Sequence, residues 1–355
     1  MSAASRPLSE VDQVDWASLQ HAYGEADDVP GQLQKIAVGD EDAFSDLYGN
    51  LWHQGTVYQA TSFAVPFLLG LLEAGNAELL NWLACAARGA SYHDVHQIYD
   101  DPAEVQAPEY QAIIADELHW VRATRAAVLA GADIYRTLLK AQNPETRGMA
   151  AYLFSVLGRD CPQAAPWLTA GLADPDAVAR ASCAWALAEF EPESAARLSL
   201  ESMLSDPQEL PRLTAALTLA HWQGAQAGAL VTERLLSALA DPDLGELFGQ
   251  LPWDSSEPMP QEALAAAARI LGQGDLFASA FLARYELTSY EPELEYALLL
   301  ARPAIEGEVT PVLRAVLNTF LKLPDPHLAQ YERWLGGLNL PATRQAITAF
   351  LQEQP

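Results

Sequence analysis

Asn143-Pro144, Asp174-Pro175, Asp206-Pro207 and Asp241-Pro242 recur at intervals of 31, 32 and 35 residues. A period in the low thirties restricts a chain to folds that stack one supersecondary unit on the next. Asp or Asn can accept a hydrogen bond from the free N–H groups at a helix start, and Pro at the first helical position loses nothing, because its N–H would be unpaired anyway. Each dipeptide is therefore read as a helix start. After three of them comes an arginine (Arg147, Arg180, Arg212), with small residues three and four positions on (Ala150 and Ala151, Cys183 and Ala184, Ala215 and Ala216). A large apolar residue follows at plus seven (Phe154, Leu187, Leu219), which completes one apolar stripe per helix with small residues where a neighbour must come close. Val121-Arg122 with Ala126 and Leu129 repeats the pattern upstream. Residues 162–173, 193–204 and 227–240 supply the intervening helices, so the unit is a helix pair.

The Asp-Pro, Arg, Ala-Ala, Leu pattern resembles the short HEAT repeats of bacterial scaffold proteins and of phycobilin-lyase-type proteins. The spacing motifs of tetratricopeptide and ankyrin arrays are missing. Trp16-x4-His21-Ala22-Tyr23-Gly24 and Trp52-His53-Gln54-Gly55-Thr56-Val57-Tyr58 are similar to two stretches found in a group of bacterial HEAT-repeat proteins without an assigned activity. The resemblance implies an all-α fold, a right-handed α-α superhelix (a HEAT/ARM-like solenoid) forming one continuous domain. Along it, residues 1–115 are expected to form an atypical acidic cap and 116–244 the regular repeats. An irregular loop or lid at 245–260 and degenerate repeats at 261–355 complete it. Strands of consequence are not expected.

The chain carries 20 Lys and Arg against 47 Asp and Glu, a net charge of −27. Such a field repels phosphate backbones, which are bound by rows of cations, so a nucleic-acid partner is excluded. It favours instead a protein partner with a basic surface, held in the concave groove of the solenoid. The longest stretch without Asp, Glu, Lys or Arg, Leu47 to Leu72, holds His53, Gln54, Gln59 and Pro66 and reads as a buried helix, not a membrane span. The N-terminus offers no apolar signal core. Cys85, Cys161 and Cys183 have no metal spacing and read as reduced core thiols of a cytoplasmic protein.

Residues 1–120 hold three basic and 19 acidic residues, a net of −16. They also hold five of the seven histidines and four of the nine tryptophans. Aromatics mixed with histidines and acids suit a partner surface, so Trp16, His21, Tyr23, Trp52, His53, Tyr58, Tyr92, His93 and His96 are the candidate contact residues. The competing role for the rings is to close the end of the repeat core. The alternative chemistry is a metal site: His93 and His96 lie three apart, with Asp100 a third ligand. HEAT-fold deoxyhypusine hydroxylases bind iron through His-Glu pairs, and this chain has no such dipeptide. No nucleophile elbow, phosphate loop, H-E-x-x-H or C-x-x-C motif occurs, so neither a catalytic residue nor a cofactor is expected. Arg122, Arg147, Arg180 and Arg212 are read as a structural ladder, each bonding the Asp or carbonyls of a repeat junction, with Asp174 and Asp206 as partners.

Overall fold

The computed structural model of the chain describes residues 4–40, 42–72, 76–96, 105–253, 260–301 and 309–353. The fold is all-α, with two hairpins of two-residue strands near the N-terminus. Contacts group the chain into two compact units, Met1–Leu200 with Leu251–Trp253, and Glu201–Gln250 with Asp254–Pro355. The expected boundary at 115/116 lies within a single helix, Pro108–Ala130.

The first unit contains α1 (Val29–Ala37), α2 (Asp42–Asn50), α3 (Gln59–Leu71), α4 (Ala77–Arg88), α5 (Tyr92–His96), α6 (Pro108–Ala130), α7 (Ala132–Leu138), α8 (Pro144–Leu157), α9 (Ala164–Gly171) and α10 (Ala177–Leu187). α4 packs on α8 and α8 on α10, while α3 and α4 also pack on α6. The residues marked as small sit where these helices meet: Ala150, Ala151, Cys183 and Ala184 are buried. α9 comes so near α10 that a β-carbon at Gly171 would lie 2.4 Å from Cys183 Sγ.

After α11 (Ser194–Met203), where the division falls, the second unit holds α12 (Glu209–Gln223), α13 (Ala229–Ala240), α14 (Leu244–Phe248), α15 (Pro260–Ile270), α16 (Gly274–Thr288), α17 (Glu291–Ala301), α18 (Pro311–Phe320), α19 (Asp325–Gln330), α20 (Glu332–Gly337) and α21 (Arg344–Glu353). α12 pairs with α13 and α16 with α17, and α17 packs on α18.

The helix starts are shifted from their expected places. Asn143 does precede α8 directly, but α10, α12 and α14 begin three residues after Asp174, Asp206 and Asp241. In all four cases the side chain accepts a bond from the N–H two residues on, at 2.9 Å, which closes an Asx turn across the proline. The cap of α10 is Asp176, which accepts from Ala179 N at 3.0 Å. The arginines keep the phase instead. Arg147, Arg180 and Arg212, 33 and 32 residues apart, each donate to the carbonyl six residues before them, Ala141, Asp174 and Asp206. Asn143-Pro144 is therefore two residues out of register with the other dipeptides.

The 245–260 segment is not wholly irregular. It opens inside α14, and Leu251 and Trp253 are buried in the first unit. Residues 254–259 lie outside the described residues.

Burial also fixes the thiols. Desolvation pushes Cys183 up to about 12 and Cys161 up to about 11. Both are free and buried, whereas Cys85 is half-buried. At pH 8 the native protein is expected to take up one equivalent of a thiol reagent, at Cys85, and three after denaturation. Rapid native labelling of Cys183 would show that α9 and α10 do not pack as described.

Candidate functional site

The first hairpin pairs Gln20–His21 (β1) with Gly24–Glu25 (β2), and the second pairs Trp52–His53 (β3) with Thr56–Val57 (β4). Gln54 and Gly55 both have positive φ, 50° and 94°, the geometry that a two-residue hairpin loop requires and that glycine adopts without strain. β4 is pinned to the end of α4, because Val57 N donates to Ala90 O at 3.1 Å and Ala90 N to Gly55 O at 2.9 Å. A β-carbon on Gly89 would come within 2.3 Å of Val57 Cγ1, so only glycine admits this approach. Ala22 N donates to Asn50 O at 3.0 Å and ties the first hairpin to the end of α2.

This frame brings together some of the candidate contact residues and removes others. Trp16, 4% exposed, gives its indole N–H to Val11 O at 2.8 Å and lies against Phe67. It belongs to the core and is not a contact residue. His21, 8% exposed, is likewise withdrawn: Nε2 meets Asp28 at 3.0 Å and Nδ1 accepts from Tyr23 N. Trp52 is half-buried against Tyr48. Tyr23, in contrast, is 69% exposed, and its ring meets that of His53 edge-on at 5.4 Å. The two hairpins thus present one shared tip.

Tyr58 follows β4 and shares a 2.6 Å hydrogen bond with Thr56 Oγ1. Burial raises its phenol pKa; the Thr56 bond opposes the shift, and Tyr92, Tyr23 and Glu117 add to it. Tyr58 is therefore a proton holder at neutral pH, unsuited to act as a base. Tyr23, Tyr92 and Glu117 are thus near enough to Tyr58 to act on its charge. α5 supplies Tyr92, exposed and 4.5 Å from the His96 ring, and His93, whose Nδ1 lies 2.9 Å from Glu117 Oε1. Glu117, 7% exposed on α6, also accepts the His93 backbone N–H at 3.1 Å. Nothing in the sequence distinguished this carboxylate from the many other acids.

His93 thus spends one ring nitrogen on Glu117, and the His96 ring lies against Tyr92, tilted at 41°. Asp100, the third ligand of the metal alternative, lies outside the described residues. Among the described residues no group of three or more His, Cys, Asp or Glu is placed to hold a metal ion.

The arginine column is also revised. Arg122 is exposed, and Arg125, one turn on, is the arginine of α6 that bridges helices. It donates to Ala87 O at the end of α4, to Val156 O and Leu157 O at the end of α8, and to Asp160. A cation at two helix C-termini also meets the negative ends of their dipoles. Arg147 makes a rung to the next repeat, reaching both carboxylate oxygens of Asp174 at 2.7 Å. Arg180 donates to Asp174 O and Pro175 O, and Arg212 to Asp206 O and to Glu209.

A pocket of about 920 Å³ lies beside α7 and α9, lined by Arg136, Lys140, Arg147 and Trp167 among others. Arg147 is engaged there by Asp174, and Arg136 lies over Trp167 while pairing with Asp133. The candidate contact residues do not converge on it.

Stacked helix pairs joined by arginine-bonded junctions define a helical-repeat protein. Residues 132–220, from α7 into α12, match the family model for HEAT repeats. No curated protein and no solved structure matches the chain. No helix among the described residues is long and apolar enough to cross a membrane.

Proposed function

We propose that the chain is a non-catalytic interaction scaffold which binds a protein partner with a basic surface. HEAT repeats commonly serve as interaction scaffolds, which supports the general part of this reading. The observation that carries the finer part is the shared tip of the two hairpins, with Tyr23 exposed against His53 and Tyr58, Tyr92 and His96 beside it. Neither hairpin is needed to stack helix pairs, and exposed tyrosines backed by half-buried rings are the kind of group that anchors a partner. The surrounding residues carry the most acidic share of the chain, which steers a cationic partner toward this face. The contact surface is accordingly the N-terminal hairpin face, in place of the groove expected from the repeats alone.

The test is capture of partners from the native lysate by the wild type and by the Tyr23→Ala, Tyr92→Ala double variant. A basic protein is expected on the wild type, released as salt rises because the Debye length shrinks from about 10 Å at 0.1 M to about 3 Å at 1 M. The same protein should be lost from the double variant. Equal capture by both proteins, or capture indifferent to salt, would overturn the reading.

A further inference from the structure

We propose that the face of α8 and α10 around Gly148, Tyr152, Ser182 and Trp185 is a second binding site, a slot for a peptide presenting proline followed by a large aromatic. In this structure the slot holds the chain's own Leu251-Pro252-Trp253. The inference is independent of the hairpin face.

Three observations carry it. The Trp253 ring stacks on Tyr152 with centroids 4.6 Å apart and planes at 8°, and lies 6.2 Å from the Trp185 ring, which leaves Trp253 5% exposed. The Tyr152 hydroxyl accepts from Arg88 Nη1 at 3.0 Å, which holds that wall of the slot in place. Second, the floor is cut for proline. A β-carbon on Gly148 would stand 2.7 Å from Pro252 Cγ and 2.9 Å from Ser182 Oγ. Third, of the chain after Leu200 only these three residues belong to the first unit, and the stretch Glu201–Gln250 before them belongs to the second. Among the described residues no backbone–backbone hydrogen bond joins Leu251–Trp253 to α8 or α10.

A short segment held by a proline and one stacked indole, without backbone pairing, is bound as a linear peptide is bound in an aromatic-lined slot. A stiff proline loses little entropy on docking, and a desolvated indole stacked on another ring is a typical anchor. The tethered segment competes at an effective concentration in the millimolar range for a short tether, so an outside peptide enters when it matches better or is itself locally concentrated.

The test uses the full chain and a fluorescein-labelled peptide of residues 248–256. The Pro252→Ala, Trp253→Ala variant, native by circular dichroism, is expected to bind this peptide at least tenfold more tightly than the wild type. Adding Tyr152→Ala should abolish the gain. A native double variant that binds no better than the wild type overturns the proposal. If the double variant does not fold, the wild type labelled with 5-fluorotryptophan decides: millimolar unlabelled peptide should displace Trp253 and shift its resonance. A Pro252→Ala, Trp253→Ala version of the peptide should not. An unmoved Trp253 resonance, or equal effects of both peptides, shows that the segment is a fixed part of the core.

Discussion

Replacing Glu293 by alanine is expected to destabilise the second unit by about 3–5 kcal/mol, the largest single effect in this account. Glu293 on α17 is 1% exposed and faces Arg284 on α16, itself 7% exposed. One carboxylate oxygen accepts from Arg284 Nε and the other from the Thr288 hydroxyl at 2.6 Å. The remaining guanidinium nitrogens donate to the carbonyls of Leu239, Asp241 and Pro242 at the end of α13. Those carbonyls satisfy donors but do not neutralise the charge. Removing the carboxylate leaves a cation in a site shielded from water, which costs far more than an exposed pair would. Glu293→Gln, which keeps the shape and one acceptor without the charge, should fall between the two. Urea unfolding followed at more than one wavelength reads the result, and the shift belongs to the transition of the second unit. A loss under 1 kcal/mol for Glu293→Ala would contradict the buried pair.

The second large effect is a change of sign. Gly171→Ala places a β-carbon 2.4 Å from Cys183 Sγ, and because Cys183 is itself buried the sulfur cannot move aside cheaply. Overpacking of this kind costs about 1–3 kcal/mol. In a Cys183→Ala background the obstruction is gone, and the same substitution should be neutral or stabilising by up to about 1 kcal/mol, the ordinary gain of alanine over glycine in a helix. Chemical denaturation of the four proteins in the cycle measures the coupling. Additive effects would mean that α9 and α10 are not in contact at this point.

The helix pairs were legible because each helix needs the same three things in the same order: a cation for the junction carbonyls, small residues at the crossing, and a large apolar residue one turn further. Arg147, Arg180 and Arg212 carry that order in the letters. The Asp-Pro dipeptides misled by two or three residues because Asx turns and helix caps use the same residue types, and only the backbone says which N–H is bonded. Arg122 fits the spacing, but the bridging role of Arg125 one turn on depends on where α4 and α8 end, which the letters do not say.

The hairpin face was half legible. Tyr23, His53, Tyr58 and Tyr92 were selected by composition, and the structure brings them to one place. The same criterion included Trp16 and His21, because burial of a ring depends on partners such as Phe67 and Val11 that no local pattern reveals. Two-residue strands are too short to show alternation, so the hairpins themselves left no periodic trace. Glu117 and the seat of Leu251–Trp253 depend on contacts 24 and about 100 residues away in sequence, beyond the reach of any local signal.

The hairpin face as binding surface is tested most directly by amide hydrogen exchange of the chain with and without its captured partner. Added protection is predicted at Gln20–Glu25, at Trp52–Tyr58 and at Tyr92–His96, with α12 to α21 unchanged. Protection confined to the second unit, with the hairpins exchanging as fast as in the free protein, would contradict it.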